Sequence, residues 1–241
     1  MIRMLASDID HTLFSHQTYA IPEVNLMAAD TLRSQGVELV LATARIYAGV
    51  RKLEAQLSMR EKGGMIIASA GAELIDCRHG VRTVLHSLTL DQIKTLKQFS
   101  DAHPDVTLAV QQEDLMVADG YDASLDSDRA VAGIDFLVVG SDFFSYMTKP
   151  ACMAGLTGDP RQLDEIELQA RAVLKDVNLT RSGPGFLDVT PKGVHKALAL
   201  KQLSSRYSAA GAGGDRRWQQ RPGNVSGSRS VVCAVQCRGD G

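Results

Sequence analysis

Two aspartates separated by a single residue, Asp8 and Asp10, close a short apolar run, Met4-Leu5-Ala6-Ser7, and are followed by His11-Thr12-Leu13-Phe14. If the run is a strand, alternation puts both carboxylates on one side of it. No basic residue lies between them, so they repel unless a cation or a shared proton intervenes. A divalent, oxygen-seeking metal meets that need, and Mg²⁺ suits one or two carboxylates plus a phosphate. The plainer alternative is a strand end and a polar turn, where Asp is common. Asp8 and Asp10 are the first candidate metal ligands.

The elements that must position this pair follow in order. Pro22 suits a helix start, Val24, Met27, Ala28, Thr31 and Leu32 repeat at helical spacing, and Gly36 stops the helix. Val37 to Ala42 predicts a strand ending in Thr43-Ala44-Arg45, and a second amphipathic helix carries Val50, Leu53 and Leu57. Met65 to Ala68 predicts a third strand, ending in Ser69-Ala70-Gly71-Ala72. Such alternation implies parallel pairing with right-handed crossovers. The ligand site of such a sheet lies beyond the carboxyl ends of its strands, a rim that would carry Asp8, Asp10, Thr43 and Ser69. Far along the chain, Thr190-Pro191-Lys192-Gly193-Val194-His195-Lys196 leads into a helix from Ala197. Lys196, just inside that helix start, would stand near a rim anion, although a solvated surface lysine is the ordinary case.

The block between reads as α+β. It has a hairpin over 74–85, helices over 90–99 and 162–174, and strands over 106–110, 115–118, 151–156 and 177–180. Residues 119–135 read as a solvated loop with helical fragments, and strand character returns at Phe186 to Val189. The predicted fold is α/β: a three-layer, Rossmann-like parallel-sheet core formed by residues 1–74 and 183–215, with an α+β cap inserted at 75–182.

The length of 241 residues suits one large domain or two smaller ones, and 44% apolar with 22% charged residues is ordinary globular composition. A net charge of -2 gives no general attraction to nucleic acid or a membrane surface. No apolar run approaches a membrane span, and no signal-peptide core precedes Asp8. The expectation is a cytoplasmic protein without nucleic-acid or membrane partners; oligomeric state has no signature. Cys77, Cys152, Cys233 and Cys237 show no metal-type pairing.

Taken together, residues 1–203 resemble the haloacid dehalogenase superfamily of phosphohydrolases, in particular its Cof-type members with a large α/β cap. Asp8-Ile9-Asp10-His11-Thr12-Leu13 looks like the first motif, Ala42-Thr43-Ala44-Arg45 the second and Gly193-Val194-His195-Lys196 the third. The resemblance implies Mg²⁺-dependent hydrolysis of small phosphorylated metabolites, sugar phosphates among them. Asp8 would be the nucleophile and Asp10 the acid and base. Thr43 would bind phosphoryl oxygens with Ala44 and Arg45 beside it, Lys196 would offset charge, and the cap would close over the rim. Alternatives are a phosphomutase of the same fold and a non-catalytic phosphometabolite-binding product. Three positions depart from the pattern: His11 and Ala44 stand where Gly is usual, and Ala70 where Asn is common. If Ala44 needed a positive φ, its methyl would cost on the order of 1 kcal/mol.

The tail, residues 204–241, fits this fold poorly. The fourth motif of the resemblance, Gly-Asp-x-x-Asn-Asp, supplies acidic groups to the metal. Gly214-Asp215 stands at about the right place, so Asp215 is a candidate third ligand, but Arg216-Arg217-Trp218-Gln219-Gln220-Arg221 follows. Arginines there oppose a Mg²⁺ site. Read one base later with suitable synonymous codons, Asp215 to Ser226 can encode Ile-Gly-Asp-Gly-Asn-Asn-Asp-Leu-Ala-Met-Phe-Gln, a well-formed fourth motif. In that frame the metal-binding Asp falls at the codon of Arg217 and the last Asp at Arg221. The expectation is a frame slip near residues 204–212 and, as written, impaired activity. Sequencing the gene and weighing the native protein should reveal the slip; an unshifted gene encoding this tail would refute it.

Overall fold

The computed structural model describes residues 2–209 and 233–236, which fall into two compact units. The first comprises Met1–Thr43, Arg51–Thr83 and His195–Gly241, and the second Ala44–Val50 and Val84–Val194.

The first unit opens with β1 (Ile2–Ser7), α1 (Glu23–Ser34) and β2 (Glu38–Ala42), continues through α2 (Arg51–Gln56), α3 (Met59–Lys62) and β3 (Met65–Ala68), and adds β4 (Glu73–Asp76) and β5 (Val81–Val84). Leu39 to Ala42 and Ile66 to Ala68 are almost wholly buried. Strands covered on both faces read as unbroken apolar runs, the mark of a parallel sheet. β1 pairs parallel with β2 (Met4 opposite Glu38) and β2 parallel with β3 (Val40 opposite Met65). β4 turns back antiparallel on β3, with Ala68 opposite Glu73. The helix predicted around Val50 to Leu57 is broken: Tyr47–Val50 forms a 3-10 turn, and Ser58, at φ 48°, separates α2 from α3.

The second unit contains α4 (Leu90–Asp101), β6 (Val106–Gln112), β7 (Leu115–Ala118), α5 (Ala123–Ala132), β8 (Asp135–Val138), β9 (Ala154–Gly158), α6 (Pro160–Val173), β10 (Val177–Gly183) and β11 (Phe186–Pro191). Its sheet runs β10-β11-β9-β6-β7-β8. Val106, Leu108 and Val110 share one core with Ile93, Leu96 and Leu163 of α4 and α6. Ala109, Met116 and Ala118 share another with Leu125 and Ala132 of α5. The alternation along β6 thus assigns one residue in two to each face. Back in the first unit, α7 (Lys196–Ala209) packs on β3, and β12 (Cys233–Gln236) lies antiparallel to β1, giving the order β12-β1-β2-β3-β4-β5.

Three sequence expectations differ from this arrangement. The strand at Phe186, assigned to the core with 183–215, lies instead in the second sheet: β11 pairs with β10, Gly183 opposite Phe186, and with β9. An apolar run carries no address for a sheet, and the tight turn at Pro184-Gly185 makes local hairpin pairing the cheaper choice. The divisions at 74/75 and 182/183 accordingly move to 83/84 and 194/195, because β4 and β5 extend the first sheet. Residues 119–135, expected as a solvated loop with helical fragments, hold the continuous helix α5, whose N-terminus is capped by the Asp122 carboxylate accepting from Ser124 N–H at 2.6 Å. The helix ends at Gly133 with φ 69°, a left-handed C-cap that glycine adopts without strain.

Cys77, at the end of β4, is 3% exposed. Burial pushes its thiol up from 9.0 to about 12, and the nearby Glu54 carboxylate pushes the same way. The protonated thiol is therefore the form that the fold stabilises. That contribution is complete below pH 9.0 and is lost as the pH rises towards about 12. Urea midpoints of the native chain should fall over this window more steeply than those of Cys77→Ala, and Cys77 should resist thiol reagents at neutral pH until the chain unfolds.

Candidate active site

Asp8 is the first residue beyond β1, and the turn after it sets its geometry. Ile9, wholly buried, offers its carbonyl to the N–H groups of Thr12, Leu13 and Phe14 at 2.9–3.2 Å, folding the chain tightly. The Asp8 carboxylate is 8% exposed as a residue, and its Oδ1 accepts from the Ile9 N–H and from Lys196 Nζ, both at 2.9 Å. Both of these contacts fall on Oδ1 and neither involves Oδ2. Asp10 Oδ1 accepts from the imidazole Nε2 of His16 at 2.9 Å.

Thr43 stands at the end of β2, and the register (Ser7 opposite Leu41) sets Asp8 level with Ala42, one residue before it. Thr43 is 1% exposed; its N–H donates to Ile67 O at 2.9 Å and its carbonyl accepts from Ala70 N–H at 3.0 Å. The rim of β2 is thereby tied to the turn after β3. That turn is strained, with Ser69, Ala70 and Gly71 at φ 48°, 55° and 112°.

Lys196 is the first residue of α7, and His195 fixes where the helix begins. The His195 carbonyl accepts from Leu198 N–H at 2.9 Å, and its ring Nδ1 accepts from the same N–H at 3.1 Å. This satisfies a donor that the helix itself cannot. A Cβ on Gly71 would stand 2.7 Å from the His195 carbonyl oxygen and 3.1 Å from Lys196 N. Only a glycine lets the β3 turn approach the start of α7 so closely.

The structure thus brings Lys196 to Asp8 and pins Thr43 on the same rim. Ala44 and Arg45 belong to the second unit, where Arg45 Nη1 donates to Gly49 O at 3.2 Å. Asp215, Arg217 and Arg221 lie outside the described residues. Ala44 is not in the left-handed region, so the conditional penalty there does not arise, whereas His11 (φ 58°) and Ala70 (φ 55°) both are. Glycine or asparagine would suit those two positions better. Spacing alone did not single out His16, Gly71 or the cap at His195; the only signal in the sequence was an unusual His at a turn position.

The carboxylates of Asp8 and Asp10 are oxygen donors of the kind that suits Mg²⁺, which would bind there together with a phosphate. Among the described residues no group of three or more His, Cys, Asp or Glu gathers around a common point.

Gly71→Ala should lower stability by on the order of 1–3 kcal/mol, from both the left-handed backbone and the collision. It should also displace Lys196, so the activity loss should exceed that of Gly36→Ala, where φ is 75° but a Cβ meets nothing within 4 Å. Chemical denaturation and steady-state kinetics on the two variants make the comparison.

A model of the haloacid dehalogenase-like hydrolase family matches residues 5–212. A candidate phosphatase of Streptococcus pyogenes serotype M6 is 26% identical over 210 residues, 85% of this chain and 76% of that protein. Among solved structures, a haloacid dehalogenase-like hydrolase from Bacteroides thetaiotaomicron superposes with a TM-score of 0.78 at 23% identity, covering 86% of this chain and 77% of its own. A sugar phosphatase of subclass IIB superposes with a TM-score of 0.71 at 19% identity, covering 85% and 76%. The fold is shared with these structures, and the family match spans Asp8, Asp10, Thr43 and Lys196. This chain belongs to the haloacid dehalogenase-like hydrolase family.

Proposed function

We propose that the protein hydrolyses small phosphomonoesters, sugar phosphates among them, through an aspartyl phosphate on Asp8. The observation that carries this reading is the 2.9 Å contact between Lys196 Nζ and Asp8 Oδ1, made across 188 positions of chain at the end of a central strand. A carboxylate held on one oxygen by a backbone N–H and an ammonium has its second oxygen aimed and its charge offset, as a nucleophile towards an anionic phosphate requires.

In the first half-reaction Asp8 Oδ2 bonds to phosphorus, the ester P–O bond breaks, and the departing alkoxide takes the proton of Asp10. In the second, water attacks phosphorus, gives its proton to Asp10, and the bond to Asp8 breaks. Thr43 binds phosphoryl oxygens, and Lys196 offsets the charge gathered on Asp8 and phosphate. Mg²⁺ held by Asp8 and Asp10 would supply further charge neutralisation on the phosphoryl oxygens. The tail favours a second reading, a chain that binds phosphorylated metabolites without turning them over, because Arg216, Arg217 and Arg221 stand where the fourth motif would supply acidic groups.

The test is hydrolysis of p-nitrophenyl phosphate with Mg²⁺. Asp8→Asn should lose at least about a thousandfold of the rate, and Lys196→Ala about a hundredfold. Equal rates in the native chain and Asp8→Asn would exclude Asp8 as nucleophile. Binding of inorganic phosphate without turnover would support the second reading, and isomerisation of a sugar phosphate without phosphate release would indicate a mutase.

A further inference from the structure

His16 lies six residues past Asp10 on the polar loop beyond β1, and nothing in the proposed chemistry requires a histidine there. Its ring is nevertheless held on three sides. Nε2 meets Asp10 Oδ1 at 2.9 Å. The His11 ring stacks on one face, with centroids 4.3 Å apart and planes 11° from parallel. The Phe14 ring meets it edge-on at 5.3 Å.

A single hydrogen bond between side chains each about one-third exposed (32% and 33%) would not by itself hold a carboxyl in place. The cost of fixing two rotamers in water is comparable to the gain. The stack changes that balance, because His11 and Phe14 already restrict the His16 ring before Asp10 is met. His11 does so from a left-handed backbone, φ 58°, which directs the chain into the turn. That conformation disfavours any side chain but is tolerated by His more often than by most residues. A glycine at this position would relieve the backbone and remove the stack.

We propose that His16, clamped between His11 and Phe14, is a positioning residue that holds the Asp10 carboxyl for proton transfer to the leaving group. The inference rests on the acid and base role proposed for Asp10. The imidazole Nε2–H donates to Oδ1 and fixes the plane of the carboxyl, so that one orientation of Asp10 is populated when the alkoxide departs. Misorientation should therefore matter most where the leaving group needs a proton. An alkyl phosphate such as ethyl phosphate expels a strongly basic alkoxide, whereas p-nitrophenolate leaves with little help.

His16→Ala should lower kcat/KM for ethyl phosphate about tenfold or more, while the value for p-nitrophenyl phosphate changes less than about threefold. His16→Gln, which keeps an N–H donor of similar reach, should recover most of the loss. His11→Gly should shift the ratio of the two substrates in the same direction by a smaller factor. A parallel loss on both substrates, no loss on either, or a Gln variant as poor as Ala would overturn the proposal.

A second measurement decides the matter even if the native chain turns out to be inactive on every ester, the outcome that would sink the phosphatase reading itself. In proton–nitrogen correlation spectra of the full chain, the His16 Nε2–H should exchange slowly enough to be seen, and should vanish in Asp10→Ala. An Nε2–H signal that is missing from the native chain, or unaffected by Asp10→Ala, would show that the clamp does not hold Asp10.

Discussion

The like-charge problem at the end of β1 governs the site. Asp8 and Asp10 are two residues apart at one strand end, and Asp8 is 8% exposed, where repulsion between carboxylates is poorly screened. Each is given a different partner. Lys196 meets Asp8, and His16 meets Asp10. Without Lys196 the Asp8 charge would be buried with only a backbone N–H to compensate it, an arrangement more costly than the pair is favourable. The fold has to deliver that lysine with precision, which is why the start of α7 is fixed twice: by the His195 ring accepting from Leu198 N–H, and by the glycine-only approach of Gly71 to the His195 carbonyl.

Part of the backbone strain of the first unit lies beside this pair. His11 follows Asp10, and Ser69, Ala70 and Gly71 form the turn opposite the start of α7; all four have positive φ. Strained residues persist where surrounding contacts over-determine them. Here those contacts are identifiable: Ala70 N–H is held by the Thr43 carbonyl, and the His11 ring is stacked on His16. Rigidity at the rim draws on backbone hydrogen bonds between neighbouring strand ends as well as on the side-chain partners of Asp8 and Asp10.

How much of this was legible depends on the kind of signal each part leaves. The strands β1, β2 and β3 are apolar runs bounded by turn residues, and both faces being covered leaves no ambiguity of period; the rim residues after them, Asp8 and Thr43, could be read directly. Lys196 was legible only because a turn sequence and a helix start fixed its place. The allegiance of β11 was not, since Phe186-Leu187-Asp188-Val189 would serve either sheet and only the hairpin with β10 decides it. α5 reads only as helical fragments because its charged, weakly amphipathic sequence hides its period; its caps, Asp122 and Gly133, are the better signal. The approach of Gly71 and the stack of His11 on His16 depend on positive-φ geometry, which residue types suggest but do not position.

The topology around β1 also decides which strand ends reach the rim. β1 has two edges. On one, β2 runs parallel and brings its carboxyl end, with Thr43, to the rim. On the other, β12 runs antiparallel, with Cys233 opposite Ala6 and Gln236 opposite Ile2. A parallel neighbour delivers its carboxyl end to the rim, and an antiparallel one its beginning. The described part of β12, Cys233-Ala234-Val235-Gln236, contains no carboxylate at all. A Mg²⁺ ion held by Asp8 and Asp10, as the proposed function has it, would thus receive no carboxylate from the described part of β12, and its affinity would rest on those two charges and on the phosphate of the substrate.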